Sequence, residues 1–319
     1  MGRTGSMFFQ ELKDFFEVWG ISKKEDIEAI ERGNVFIKKD GKEYNLKGNF
    51  IVAETFSHSF DFLFFTVPNP VRDVIYFYFK KIKEKNFNIP AIFLSQNGVE
   101  AGEETILVLK EIFGEKCSEI PVFRISLFNA IDKFRSEDGK IFFTYFLPIK
   151  MAISQISGPT LDVSFIFNAQ NFKTFFINSR DAKNMEYSKL FLNLIGMACA
   201  VRGLSLREGF LKEDIFKEEI LALREYAKVV KRLGGKFLNF PGYPVRFFSL
   251  LIFLPFQFLY ALRYVFIKKI DRLRIGKKKD LGEIDYYNGA VLRMAQKLKM
   301  ETPMNLKILE GARPRSQLD

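Results

Sequence analysis

Lys189 and Asn193 stand four residues apart in Tyr187-Ser188-Lys189-Leu190-Phe191-Leu192-Asn193-Leu194-Ile195-Gly196-Met197, a stretch that is otherwise almost wholly apolar. That spacing puts both side chains on one face of a helix, and a helix apolar nearly all round is a buried one. An amine and a carboxamide carried into such a setting need partners or a ligand, and an amine there can act as a proton donor. A plainer reading stays open, in which Lys189 snorkels from the helix start and Asn193 packs in the core. A second polar group, Glu283, sits in Gly282-Glu283-Ile284-Asp285-Tyr286-Tyr287-Asn288-Gly289. It either holds a ligand or simply begins a helix, where acids are favoured. Near the N-terminus, Gly2 and Gly5, with Ser6 beside them, have the spacing of the second and third glycines of G-x-G-x-x-G. That loop lets backbone N–H groups and a helix dipole hold a pyrophosphate. Its strand and first glycine would lie upstream of Met1, and a plain flexible N-terminus is the alternative.

The residues that are scarce narrow the chemistry. The chain has one histidine, His58, and two distant cysteines, Cys117 and Cys199. That excludes a disulfide framework and zinc spacing, and no Gly-x-Ser-x-Gly elbow accompanies His58. Proton transfer therefore falls to Lys, Glu, Asp or Tyr. A net charge of +11 fits an anionic ligand, nucleic acid, a membrane surface or merely a lysine-rich composition. No zinc finger or RNP signature is present, so an anionic cofactor with an acid substrate suffices. With 48% apolar and 16% aromatic residues the chain can build a large core. No signal peptide is evident, and a reducing, cytoplasmic setting is expected.

The elements that must position these groups can be read from pattern. Phe8–Phe16 reads as an amphipathic helix and Glu17–Ser22 as a strand followed by Lys23 and Lys24. A basic pair at the tip of a second strand suits the 2′-phosphate of NADP, where an acid would take the 2′-hydroxyl of NAD; ordinary solvated lysines look the same. Asn34–Lys38 and Lys42–Leu46 flank Asp40-Gly41, a hairpin-turn signal. Phe60–Val67 is a strand buried on both faces, then helix, strand and helix follow over Val71–Lys85, Ala91–Ser95 and Gly102–Phe113. This alternation predicts a largely parallel sheet with helices on it. Residues 121–178 are richer in short strands. After about 183 the pattern turns helical, over Met185–Ala200, Lys212–Leu233, Pro244–Lys269 and Gly289–Met300. The expected division is an α/β, Rossmann-like domain over 1–183 and an all-helical domain over 184–319.

These segments together resemble the ketopantoate reductase family. The similarity covers nearly the whole chain and is strongest over 185–200 and 282–305. Lys23-Lys24-Glu25-Asp26-Ile27-Glu28-Ala29-Ile30 is similar to that family's second-strand segment, its usual arginine falling on Lys23. Ser95-Gln96-Asn97-Gly98 is similar to its QNG turn, so Asn97 is expected near cofactor and substrate, although Asn-Gly is also a common turn pair. The resemblance implies Lys189 as the catalytic lysine, Asn193 as a substrate-binding asparagine, and Glu283 as the acid that holds substrate and orients the lysine. It implies NADPH as cofactor and reduction of a 2-oxo acid to a 2-hydroxy acid, of the ketopantoate-to-pantoate type. Partial burial would lower the Lys189 pKa toward neutrality. Three departures stand out. Met197 replaces a second asparagine, Pro68 replaces a lysine, and the serines expected a dozen residues before Glu283 are absent. Arg272 or Arg274 would have to bind the substrate carboxylate instead.

Other readings remain: a related reductase with a different ketone, or a non-catalytic binding or membrane-surface protein. The last draws on the missing first strand, against which a start assigned too late would leave about ten residues, a usual strand length, upstream of Met1, and on Phe247–Leu262. That stretch carries no charge over 16 residues, though Pro255 interrupts it, and eight Lys or Arg follow between Arg263 and Lys279. It is short of the ~20 residues that span a bilayer. A buried helix pair or a homodimer surface is expected there in preference to a membrane contact.

Overall fold

The structure, a computed structural model, describes residues 1–168, 171–274 and 279–312, and the side chains of all of these except 266 and 269–274. Two compact units emerge. One holds Met1–Gln96 and Ala101–Ala182, and the other Asn97–Glu100 and Lys183–Asp319. The division thus falls beside residue 183, but the four-residue segment Asn97–Glu100 clusters with the second unit.

The first unit is α/β. In chain order it runs α1 (Arg3–Leu12), β1 (Trp19–Ser22), α2 (Lys24–Glu31), β2 (Val35–Lys39), β3 (Lys42–Asn45), β4 (Asn49–Val52), β5 (Phe62–Phe65) and α3 (Arg72–Glu84). There follow β6 (Ala91–Leu94), α4 (Ala101–Phe113), β7 (Val122–Leu127), β8 (Asp132–Arg135), β9 (Ile141–Tyr145), β10 (Ile149–Ser157), α5 (Ser164–Phe167) and β11 (Phe172–Ile177). The main sheet has the order β11-β10-β7-β6-β5, parallel except where β10 meets β7. Its centre obeys the two-residue period of a strand covered on both faces. Ala91 and Phe93 of β6 join the core under α1, whereas Ile92 and Leu94 join the core under α3 and α4. Phe93 stacks on Phe64 at 4.4 Å and on Phe123 at 4.9 Å, tying three adjacent strands through rings.

β1 and β4 form a separate parallel pair. Between β1 and β5 lies a cavity of about 420 Å³, lined by Trp19, Gly20 and Ile21 on one side, Phe62 and Phe64 on the other, and Phe8 of α1. The gap stands where a doubly wound sheet, ordered 3-2-1-4-5-6, has its innermost strand. Helix α1 holds the halves together, since Phe9 stacks on Phe50 of β4 and Phe8 packs on Phe64 of β5. A third sheet, β3-β2-β9-β8, carries the hairpin at Asp40-Gly41, both residues at positive φ as a primed turn requires.

The second unit is helical: α6 (Ala182–Leu194), α7 (Met197–Ala200), α8 (Leu206–Phe210), α9 (Glu213–Arg232), α10 (Val245–Leu251), α11 (Phe256–Arg274), α12 (Asn288–Lys297) and α13 (Pro303–Gly311). Two expected single helices are in fact broken. The first is interrupted at Gly196, which adopts φ +91. The second is split around Pro255, which has no N–H to continue the ladder. At the N-terminus the helix begins at Arg3 rather than Phe8, and Lys23-Lys24 open helix α2.

Candidate active site

Helix α6 is locked from several sides. Tyr226 of α9, fully buried, donates its hydroxyl to the Tyr187 carbonyl at 2.8 Å. Burial holds that phenol well above its ordinary pKa, so it stays a donor. Asn184 accepts from the Lys236 N–H at 2.9 Å, and Ser188 accepts from the Leu238 N–H at 2.7 Å. Beyond Gly196 the buried Glu219 accepts from the N–H groups of Gly196 and Ala198, the latter at 3.1 Å, and so holds the start of α7. These bonds set the axial position and rotation of the face that carries Lys189 and Asn193.

On that face a hydrogen-bonded cluster forms within the second unit. Asn193, buried, donates Nδ2 to Asn97 Oδ1 at 3.2 Å. Asn97 donates Nδ2 to Glu283 Oε2 at 2.8 Å, and the Tyr287 hydroxyl donates to the same oxygen at 2.7 Å. Among the described residues no donor reaches Glu283 Oε1. Lys189, half-buried, lies one helical turn before Asn193. Asn97 is fixed by its neighbours: the Lys183 ammonium donates to the Val99 carbonyl at 2.8 Å, and Glu100 takes a two-pronged ion pair from Arg293 at 2.5 and 2.6 Å. That pair raises the Arg293 pKa further, and its fork geometry fixes direction as well as distance. Four residues read from sequence, Asn97, Lys189, Asn193 and Glu283, therefore share one unit, three of them in one continuous chain of hydrogen bonds.

Two members of the cluster escape a sequence reading. Lys279 donates to the carbonyls of Asn193 and Ile195 at the end of α6, and its ammonium lies 5.4 Å from the Tyr287 ring centroid. Nothing in a run of lysines marks the one that caps a helix. Tyr287 stands four residues from Glu283, a spacing that could have flagged it. Arg272 and Arg274 have side chains outside those described.

The cofactor candidates lie in the first unit. Gly2 is the N-cap of α1, exposed, with open space where a Cβ would stand. No side chain caps this helix, no acid lies in its first turn, and Arg3 begins it. A Cβ on Gly5 would meet Thr66 Oγ1 at 2.8 Å, so this glycine serves the close approach of α1 to the strand end. The two positions thus differ, one with open space beside it and one in close packing. Lys23 and Lys24 are exposed at the start of α2. Ser6 is fully buried on the inner face of α1 and its hydroxyl has no partner among the described residues. Its side chain faces the core rather than the exposed helix start at Gly2. The residues present otherwise fit an anionic dinucleotide.

No family model and no curated protein matches the chain. Solved structures do. A PanE/ApbA family ketopantoate reductase from Ralstonia eutropha superposes with a TM-score of 0.69 at 15% identity, covering 97% of this chain and 92% of its own. A 2-dehydropantoate 2-reductase from Methylococcus capsulatus gives 0.66 at 13% identity, covering 99% and 97%. A D-mandelate dehydrogenase solved with NADH and anilino(oxo)acetate gives 0.68 at 14% identity, covering 98% and 94%. The chain has the fold these reductases share, a Rossmann-like unit followed by a helical one.

Proposed function

We propose that this chain is an NADPH-dependent reductase that converts a 2-oxo acid to the 2-hydroxy acid, of the ketopantoate-to-pantoate type. One observation carries the reading: the Glu283 carboxylate, bound to Asn97 and Tyr287, shares a hydrogen-bonded cluster with Asn193, one turn from Lys189. The fold and the open, uncapped start of α1 support a nicotinamide dinucleotide, with Gly2 and Arg3 toward its pyrophosphate and Lys23 and Lys24 toward a 2′-phosphate. The cofactor, when bound, supplies the hydride to the carbonyl carbon.

The rest is the chain's own work. The C=O bond becomes C–O–H, and Lys189 Nζ gives the proton to the oxygen as charge develops there. Asn193 and Asn97 donate to substrate oxygens. Glu283 holds the geometry with Oε2, leaving Oε1 to accept from the substrate or from the lysine ammonium. A second reading, a reductase for another 2-oxo acid, is favoured by Met197, fully buried where the resembling family carries an asparagine.

The deciding experiment is turnover of reduced nicotinamide against a panel of 2-oxo acids, with NADPH and NADH in parallel, on the native chain and Lys189→Ala. We expect activity with NADPH and a loss of about 10²–10⁴-fold in kcat for the variant. Unchanged turnover in Lys189→Ala removes the proton-donor assignment. No oxidation of either nicotinamide with any 2-oxo acid removes the reductase reading.

A further inference from the structure

The turn between α10 and α11 exposes an apolar surface on one side and is anchored on the other. On α11, Leu259 and Ile267 are buried, and Tyr260 and Phe256 pack toward Phe216 of α9. The opposite stripe, Phe258, Leu262 and Val265 at i, i+4 and i+7, is 65%, 41% and 65% exposed. On α10, Phe247 and Leu250 are exposed as well, and so is Phe253 in the turn between the helices. A helix that is apolar on both faces normally buries both, and an exposed patch of this kind marks an interaction surface.

Three observations identify what covers it. First, no helix among the described residues is long and apolar enough to cross a membrane, so the hairpin does not span a bilayer. Second, the tip is prepared for a setting poor in water. Arg224 of α9 donates Nε to the Ile252 carbonyl at 2.6 Å and Nη2 to the Leu254 carbonyl at 2.7 Å. Those helix-end carbonyls would otherwise demand solvent. Third, the described charge along this segment has one sign: from Pro244 to Lys268 the sequence has three basic residues, Arg246, Arg263 and Lys268, and no acid. A second copy docked about a twofold axis would set this charge against itself. An anionic bilayer surface would match it, with the aromatic and aliphatic side chains entering the interface and the basic residues meeting headgroups.

We propose that the α10–α11 hairpin is an interfacial anchor that docks the protein on anionic lipid membranes. The anchor stands independently of the reductase reading, since none of its residues belongs to the Glu283 cluster.

The test is co-sedimentation of the full chain with vesicles of phosphatidylglycerol and phosphatidylcholine in equal parts, and with phosphatidylcholine alone. Leu250→Glu and Phe258→Glu, combined, are the variant. Both side chains are about two-thirds exposed, so the fold should persist, and circular dichroism verifies that it does. We expect binding to the anionic vesicles, at least ~10-fold weaker binding of the variant, and weakening at about 0.5 M salt, where the Debye length is a few ångströms. Absence of native binding to the anionic vesicles overturns the proposal. So does a concentration-dependent dimer, abolished by the double variant, in a chain that ignores vesicles, because a second copy then covers the patch. Equal binding of native chain and variant assigns any adsorption to bulk charge and likewise overturns it.

Discussion

Replacing Glu283 by Gln keeps the side-chain shape and removes its charge, so it separates structure from chemistry. In the native protein Oε2 accepts from Asn97 at 2.8 Å and from Tyr287 at 2.7 Å. A glutamine carbonyl in the same place can accept both. What is lost is the charge assistance. A hydrogen bond to an ionised group contributes about 1.5–3 kcal/mol net, against about 1 kcal/mol for a neutral one. Two bonds together lose about 1–4 kcal/mol, and the half-exposure of Glu283 moves the expected value toward about 1–2 kcal/mol. Chemistry should suffer more. If Oε1 orients the lysine or the substrate, kcat/KM falls by about 100-fold, or ~2.7 kcal/mol of transition-state stabilisation, at temperatures where the variant is fully folded. Urea unfolding followed by fluorescence and circular dichroism gives the first number, and steady-state oxidation of NADPH with the best 2-oxo acid gives the second. A variant that unfolds as expected but keeps native kcat/KM refutes the catalytic part. One that also unfolds at the native urea concentration refutes the cluster energetics as well. Tyr287→Phe is the companion: it removes one donor, leaves the charge, and should lower kcat/KM only a few-fold.

Three further outcomes follow from geometry. Glu219→Ala strands the Gly196 and Ala198 N–H groups inside the second unit, and should cost about 2–5 kcal/mol by chemical denaturation, with Glu219→Gln losing less. Gly5→Ala sets helix propensity, a gain of about 1 kcal/mol, against a Cβ placed 2.8 Å from Thr66 Oγ1. Crowding costs about 1–3 kcal/mol, so the single variant should be less stable. In a Thr66→Ala background the same change should become stabilising, and an unchanged sign in that background would remove the steric account. Tyr145, which donates to buried Glu11 at 2.5 Å, has its pKa raised far above the ordinary value, first by burial and then by that carboxylate. A raised folded-state pKa means its stabilisation is complete below about pH 10, the unfolded value, and declines as pH rises beyond it. Tyr145→Phe should flatten the alkaline fall in unfolding free energy, measured between about pH 8 and about pH 11.

Much of this was legible in residue order, and the gaps have identifiable physics. Several local signals came through: the strand at Ala91–Leu94, the Asp40-Gly41 turn, and the polar pair Lys189 and Asn193 on an apolar helix, whereas the strand expected buried on both faces over Phe60–Val67 forms over Phe62–Phe65 with Phe62 and Phe64 only half-buried. The break at Gly196 was not legible, because apolar periodicity crosses it without a mark, whereas Pro255 marks the one between α10 and α11. Gly196 could have been an ordinary helical glycine, and only its positive φ and the distant Glu219 make it a corner. The inward direction of Ser6 was hidden because the helix was expected to begin at Phe8. With the start at Arg3, Ser6 shares the inner face with Phe9 and Gln10, three and four residues on. The role of Lys279 depends on where α6 ends in space, and no local pattern in a lysine run carries that.

The cavity between β1 and β5 bears on how the first unit comes apart. Each of these strands has a ladder on one flank only, β1 with β4 and β5 with β6, so no backbone hydrogen bonds run across the gap among the described residues. Cooperative opening is transmitted largely through such ladders and through shared packing. Here the packing route is helix α1, with Phe9 on one half and Phe8 on the other. The β1–β4 half should therefore be a separate foldon. Its amides would exchange with solvent through fraying of α1, at a free energy well below that which releases the Phe93-centred strands.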